Sequence, residues 1–191
     1  MVKVRRGTKA RTRICQGDIF RDVDYIEHAT ERSGIVEVSR IRFPLVIVLT
    51  QDCDLEQDFR SRSPREPAAT QDKLLLSVLV APLYNVEHVY LGEHLSELGA
   101  KMEPIARQRT AGTYLRSNQR PRFHYLEFPH EVHIVPSVID FKHYFSVNVR
   151  YLRKIRKANL VCTVSSLFRE DICQRFSSFL SRIGLPEVRQ G

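Results

Sequence analysis

Thr50-Gln51-Asp52-Cys53-Asp54-Leu55-Glu56 places a thiol between two carboxylates, directly after the apolar run Leu45–Leu49. Three chemistries fit these residue types. Cys53 could act as a nucleophile if the fold brought up His124, His130, His133 or His143 as its base. Its acidic neighbours oppose this, because anions raise a thiol's pKa and suppress the thiolate. Asp52, Asp54, Glu56 and Asp58 alternate, so an extended chain would put all four on one face. Hard cations take such oxygens, and two of these acids with Mg²⁺ would suit a nuclease. The stretch is not an EF-hand, since Gln57 and Ser63 stand at its turn and twelfth positions. A zinc site joining Cys53 to histidines has no spacing signature. The structural alternative packs Cys53 as a small hydrophobe. Asp52 or Asp54 then caps backbone N–H groups or pairs with an arginine, and Thr50 and Gln51 complete a turn.

The basic residues point outward to a polyanion. The chain has 30 Lys and Arg against 22 Asp and Glu, a net charge of +8. Residues 1–13, 104–126 and 142–157 carry bases and no acid, while acids collect at 18–37 and 52–72. Such segregation suits a nucleic-acid-binding face. Arg107, Arg109, Arg116, Arg120, Arg122, Arg150 and Arg153 are the candidate contacts. Around Tyr114, Phe123, His124 and Tyr125, charge and rings interleave, as single-stranded RNA would require. Strand alternation offers another role for the rings, with Phe123 and Tyr125 turned into the core. The seven histidines have no tight spacing and receive no ligand assignment.

The 191 residues with 42% hydrophobic content predict a folded chain able to bury its own core. Cys15, Cys53, Cys162 and Cys173 form no CxxC pair and read as reduced thiols of a cytoplasmic protein. No apolar run approaches a membrane span, and no apolar stretch follows the basic N-terminal residues as a secretory signal would. No membrane partner is therefore expected. Residues 1–13 read as a basic arm and 14–191 as one domain with an inserted segment at 86–128.

Along the domain, strands are expected from Gly17, from Ile35 and over Leu45–Leu49, with residues 21–34 as polar turn and Pro44 as an interruption. Residues 56–72 read as a loop, and Leu74–Val80 as a buried strand closed by Pro82. Helices are expected over 86–99 and 105–117, and strands over 122–128, 131–139 and 144–149. Phe168, Ile172, Phe176, Phe179, Leu180 and Ile183 mark one face of a closing helix, with Ser165 or Ser166 at its start and Gly184 and Pro186 at its end. The fold class is α+β, mainly β: a small barrel with an inserted helical segment and a C-terminal amphipathic helix.

That order, with these residues, resembles the PemK/MazF family of toxins, which share a small SH3-like barrel with CcdB-type proteins. Gly17-Asp18-Ile19 matches the family's opening strand, and Arg42-Phe43-Pro44 with Leu45–Leu49 approximates its Arg-Pro and apolar run. Val80-Ala81-Pro82-Leu83-Tyr84 approximates a later strand. Ser146–Leu152 and the helix from 167 fill the places of the family's last strand, Arg-Leu pair and terminal helix. The likeness covers about half of the chain. It implies an endoribonuclease needing no metal, in which the RNA 2′-hydroxyl attacks the phosphate beside an Arg and a Thr or Ser. Phe43 displaces Arg42 by one residue, which turns a strand side chain to the other face, so Arg40 is an equal candidate. The Thr position falls at Tyr84. The resemblance also implies a homodimer or a protein partner such as an antitoxin. Two further functions stay open. One is a non-catalytic adaptor in a larger, defence-related assembly. The other is a metal-dependent nuclease or hydrolase centred on Asp52, Cys53 and Asp54, with Mg²⁺ its only cofactor; Thr50 is a further catalytic candidate beside them.

Overall fold

In a computed structural model that describes residues 2–6, 12–62 and 71–182, eight antiparallel strands form one curled sheet, a half-barrel with helices packed on it. The strands are β1 (Val4–Arg6), β2 (Asp18–Arg32), β3 (Ile35–Val48), β4 (Ser77–Asn85), β5 (Phe123–Leu126), β6 (Ser137–Asp140), β7 (Phe145–Asn148) and β8 (Leu160–Val164). Their order is β1-β8-β2-β3-β4-β6-β5, and β7 also pairs with β4. Among the described residues, five α-helices accompany the sheet: α1 (Asp52–Ser61), α2 (Val86–Leu91), α3 (Thr110–Arg116), α4 (Val149–Asn159) and α5 (Ser166–Leu180). No helix of the described residues is long and apolar enough to cross a membrane.

The centre of the sheet explains its unalternating sequence. Ile19 and Ile47 pack on one face with Ile172, Phe176 and Phe179 of α5. Their neighbours Phe20, Val46 and Val48 pack on the other, with Leu55 of α1 and Leu152 of α4. A strand covered on both faces has no polar row, so it reads as a continuous apolar run. A third cluster lies under the 86–128 segment and joins Val86, Val89, Tyr90, Leu115 and Phe123. At the sheet's start the buried Asp18 accepts hydrogen bonds from the Cys15 N–H (2.8 Å) and the Thr163 hydroxyl (2.6 Å), locking β2 to β8.

Several expectations change. Residues 21–32 are strand, not turn. β2 and β3 form a long hairpin closed at Ser33-Gly34, and residues 26–38 are exposed on both faces. Polarity there reflects a ribbon that has left the core. Pro44 lies within β3 because β4 pairs only with Val46–Val48, leaving no ladder bond at Pro44 for an N–H to make. β4 likewise continues through Pro82 to Asn85. Residues 52–61 are helical, so Asp52 and Glu56 share one helix face and Asp54 and Asp58 another. The four acids do not line up. Segment 86–99 is a short helix broken at Gly92 and then a 3₁₀ turn, and 131–139 keeps strand only at Ser137–Ile139. Val149–Leu152 starts α4, capped by Asn148, whose side chain accepts from the Arg150 and Tyr151 N–H groups. β1 lies within the basic stretch read as an arm. Residues 63–70 of the Arg/Ser/Pro loop, and Ile183, Gly184 and Pro186, fall outside the described residues.

His124 of β5 has a buried side chain. Burial, aided by the Arg175 charge, pushes its pKa down to about 3. Below pH 6.5 the unfolded chain takes up a proton that the folded one refuses, so stability falls as pH drops from 6.5 toward 3. The loss from this residue at pH 5 is about 2 kcal/mol. His124→Leu is expected to remove that much of the difference between urea unfolding at pH 7.5 and at pH 5.

Candidate functional site

The five chemistry-bearing side chains that meet come from four separate places in the chain. β4 carries Tyr84, paired with Val138 of β6. Asn85 then caps α2 by accepting the Glu87 N–H. Gly92 ends α2 in the left-handed region (φ 72°), and its carbonyl accepts the Met102 N–H. This turn sends His94 back toward Tyr84. At the end of β6, Asp140 caps a 3₁₀ turn by accepting the Lys142 N–H at 3.0 Å, and His143 closes that turn. Arg122 enters just before β5.

Asp140 is the centre of this group and has no exposed surface. The Arg122 guanidinium donates to both of its oxygens, through Nε at 2.8 and 3.0 Å and through Nη2. His143 Nδ1 stands 3.5 Å and His94 Nε2 3.8 Å from Asp140 Oδ2, contacts too long for good hydrogen bonds. Both imidazole rings meet the Tyr84 ring edge-on, at centroid distances of 4.9 and 5.7 Å. Burial alone would raise the Asp140 pKa. Contact with His94 and Arg122, then the His143 charge and the Lys142 N–H, hold it at about 2. Burial lowers the pKa of His143 despite Asp140 beside it. Burial, with Asp140 adding, drives the Tyr84 phenol well above its ordinary value.

Eight buried side-chain N and O atoms have no hydrogen-bond partner among the described residues, and half of them are here: Tyr84 Oη, His94 Nδ1, His94 Nε2 and His143 Nδ1. An unmade bond of this kind costs about 1–3 kcal/mol, so clustered ones ask for an explanation. Tyr84 separates two adjoining hollows. One of about 260 Å³ is lined by His94, His88, Phe43 and Leu98, and one of about 220 Å³ by His143, Lys142, Tyr25 and Phe145.

The other sequence-derived candidates lie elsewhere. Arg40 and Arg42 share Asp24, which Arg42 Nε reaches at 2.8 Å and Arg40 at 3.3 Å. They alternate with Ile41 and Phe43, which line the Tyr84 hollows. Thr50 Oγ1 accepts the Leu79 N–H (2.7 Å), joining the end of β3 to β4. Asp52 pairs with Arg13 (2.9 Å) and Arg169 (3.4 Å) and accepts the Gln16 N–H. Burial would raise its pKa, but these partners hold it low. Cys53 and Asp54 are exposed on the first turn of α1, where the Cys53 thiol faces the Gln51 amide oxygen (3.6 Å) and the Asp54 carboxylate (3.7 Å). Asp58 is buried under Arg62 and Arg153.

Of the candidate RNA contacts, Arg107 pairs with Glu87 and lies over Tyr90, while Arg109, Arg116 and Arg150 are exposed. Arg120 lies over Phe123. Arg122 is committed to Asp140. His94, Asp140 and His143 were not singled out together by sequence. The only local signal was an acid three residues before a histidine, at the end of a short apolar run. No family model, curated protein or solved structure matches this chain.

A β-carbon at Gly92 would lie 2.1 Å from the Met102 carbonyl oxygen, whereas Gly34, also left-handed, has open space around it. Gly92→Ala is expected to cost well over the 1–3 kcal/mol of backbone strain, and Gly34→Ala only about 1 kcal/mol, in paired denaturant unfolding curves.

Proposed function

We propose that this protein acts on nucleic acid, breaking RNA phosphodiester bonds at the pocket formed by Tyr84, His94, Arg122, Asp140 and His143. One observation carries the reading. Four buried polar atoms without partners among the described residues converge from β4, the turn after α2 and the end of β6 around the buried Asp140, which Arg122 already fixes. An acid fixed by an arginine, with two imidazoles and a phenol facing the same space, offers proton carriers and hydrogen-bond donors where a phosphate changes charge.

The surroundings support this substrate class. Lys142 lines the His143 hollow. Arg107 and Arg116 face a neighbouring hollow of about 480 Å³ beside Tyr90, and Tyr114 is exposed close by in α3. Guanidinium groups beside open rings suit a single strand, with phosphates on the arginines and bases on the rings. The curled antiparallel sheet is compatible with the toxin-like barrel that the sequence resembles. On that reading Tyr84 does the work of the family's Thr or Ser, and Arg122 replaces Arg40 and Arg42 as the arginine of the site.

A second reading rests on the ribbon. Ile26, Ile35, Val36 and Val38 are more than half exposed on the β2–β3 hairpin, which favours protein binding by a non-catalytic adaptor.

Tyr84→Phe separates the two. The phenol has no partner, so its removal is expected to keep or raise the melting temperature, by about 1 kcal/mol of stability. In a cleavage assay on a mixed RNA pool, the same variant is expected to lose at least about tenfold in rate. Arg107→Ala and Arg116→Ala should leave the chemistry and flatten the salt dependence of RNA binding, by about one unit of log–log slope each. A folded wild-type protein that leaves RNA intact would favour the adaptor.

A further inference from the structure

We propose that His94, Asp140 and His143 bind a divalent transition-metal ion of the zinc class, with Tyr84 facing its open side. The proposal deepens the phosphodiesterase reading: the use of the ion rests on that reading, while its binding does not.

One atom from each of the three side chains lies within 4.8 Å of the other two. The two contacts to Asp140 Oδ2 are 3.8 and 3.5 Å. A triangle with those sides, its third side no longer than 4.8 Å, has a point about 2.4 Å or less from every corner. Zinc–nitrogen and zinc–oxygen bonds are about 2.0–2.2 Å, so closure needs shifts of a few tenths of an ångström.

The donor set chooses the metal class. Two imidazoles and one carboxylate suit zinc and its first-row neighbours, whereas Mg²⁺ and Ca²⁺ take oxygen. Three protein ligands leave one position open, as catalytic metal sites do. His94 is the second, independent observation. Its side chain is 1% exposed, and neither ring nitrogen has a partner among the described residues. An imidazole buried without partners is costly, and a metal bond to Nε2 would remove part of that cost. His143 Nδ1, equally unpartnered, faces the same oxygen.

Arg122 is the apparent objection, since a cation already holds Asp140. Ligating carboxylates are commonly held by outer hydrogen bonds that fix their orientation. Here Arg122 Nε and the Lys142 N–H reach Oδ1, while Oδ2 takes Arg122 Nε and Nη2 on one side and faces the imidazoles on the other, so the ion would share that oxygen with Arg122. Arg122 therefore aims the ligand, and its charge limits affinity. With the ion bound, a phosphate oxygen could take the open position beside Tyr84. The proposal differs from the metal-independent chemistry that the toxin resemblance implies.

The test is binding of Zn²⁺ and Co²⁺ to the full chain stripped with chelator, by calorimetry and by Co²⁺ visible absorption, without nucleic acid. One equivalent is expected, with nitrogen and oxygen ligation and a raised melting temperature. His94→Ala and His143→Ala should each weaken binding by at least about tenfold, with circular dichroism unchanged. Asp140→Asn leaves Arg122 uncompensated and can unfold the protein, so the histidine variants decide. Three results would overturn the proposal: no binding, which leaves a water-filled polar pocket; binding unchanged in both histidine variants; or sulfur-to-cobalt charge transfer, which would move the ion to a cysteine. Ion bound with RNA intact would keep the metal site and remove the nuclease. RNA cleaved at full rate by the stripped protein would keep the nuclease and remove the ion's part in it.

Discussion

Strand β4 changes partners along its length, and the fold and the pocket both depend on that change. Ser77–Val80 pairs with β7, Val80–Pro82 with β3, and Leu83–Asn85 with β6. The handover falls at Pro82, which has no N–H to donate to a ladder and so costs least where one pairing ends and another begins. Had β4 stayed with a single partner, β5 and β6 would have no place in the sheet. The same step carries Tyr84 past the main core, into the cluster beneath the 86–128 segment. That segment is thus a third layer of core as well as an insertion. It covers Tyr84, holds His94 through the Gly92 turn, and delivers Arg122 to Asp140.

Charge is treated differently at the two ends of this architecture. Asp52 and Asp58 have their own carboxylate contacts filled: Asp52 holds Arg13, Arg169 and the Gln16 N–H, and Asp58 holds Arg62, Arg153 and the Leu75 N–H. These are closed structural knots that tie α1 to the N-terminal segment, to α4 and to α5. Asp140 is paired as firmly, yet its surroundings remain polar and unsatisfied. Paired burial of a carboxylate is the ordinary solution to desolvation. Surrounding it with unpartnered imidazoles is not, and that contrast directs attention to Asp140 rather than to the acid-rich stretch after β3.

Much of the framework was legible in the sequence because the signal was local. Phe168, Ile172, Phe176 and Phe179 lie one helical turn apart and are buried or half-buried in α5, while Leu180, expected on the same face, is exposed. Leu45–Leu49 reads as a doubly covered strand and is one. Where two periods compete, the sequence misleads. Asp52, Asp54, Glu56 and Asp58 alternate like a strand, but Leu55, Asp58 and Arg62 sit three and four apart and the helix wins. The β-branched Val147 and Val149 suggest strand through Val149, but Asn148 between them caps a helix that begins at Val149. The pocket was the least legible part. Tyr84 stood out by its place after the Ala-Pro pair. His94, Arg122, Asp140 and His143 are separated by up to 49 positions and meet only through the β4–β6 pairing and one left-handed glycine.

Alternation along β3 then limits where the proposed nucleic-acid chemistry can sit. Arg40 and Arg42 are cross-strand from Ile26 and Asp24, and both spend their guanidinium groups on Asp24. Ile41 and Phe43, one residue off, are turned to the Tyr84 hollows. A strand places neighbouring residues on opposite faces, so no small adjustment brings either arginine to Tyr84 while Ile41 and Phe43 stay where they are. A phosphate bound beside Tyr84 would meet Lys142 and the Arg122–Asp140 pair, with Arg40 and Arg42 behind the sheet. Substitutions at Arg40 and Arg42 therefore report on one face of this protein, and substitutions at Tyr84 and His94 on the other.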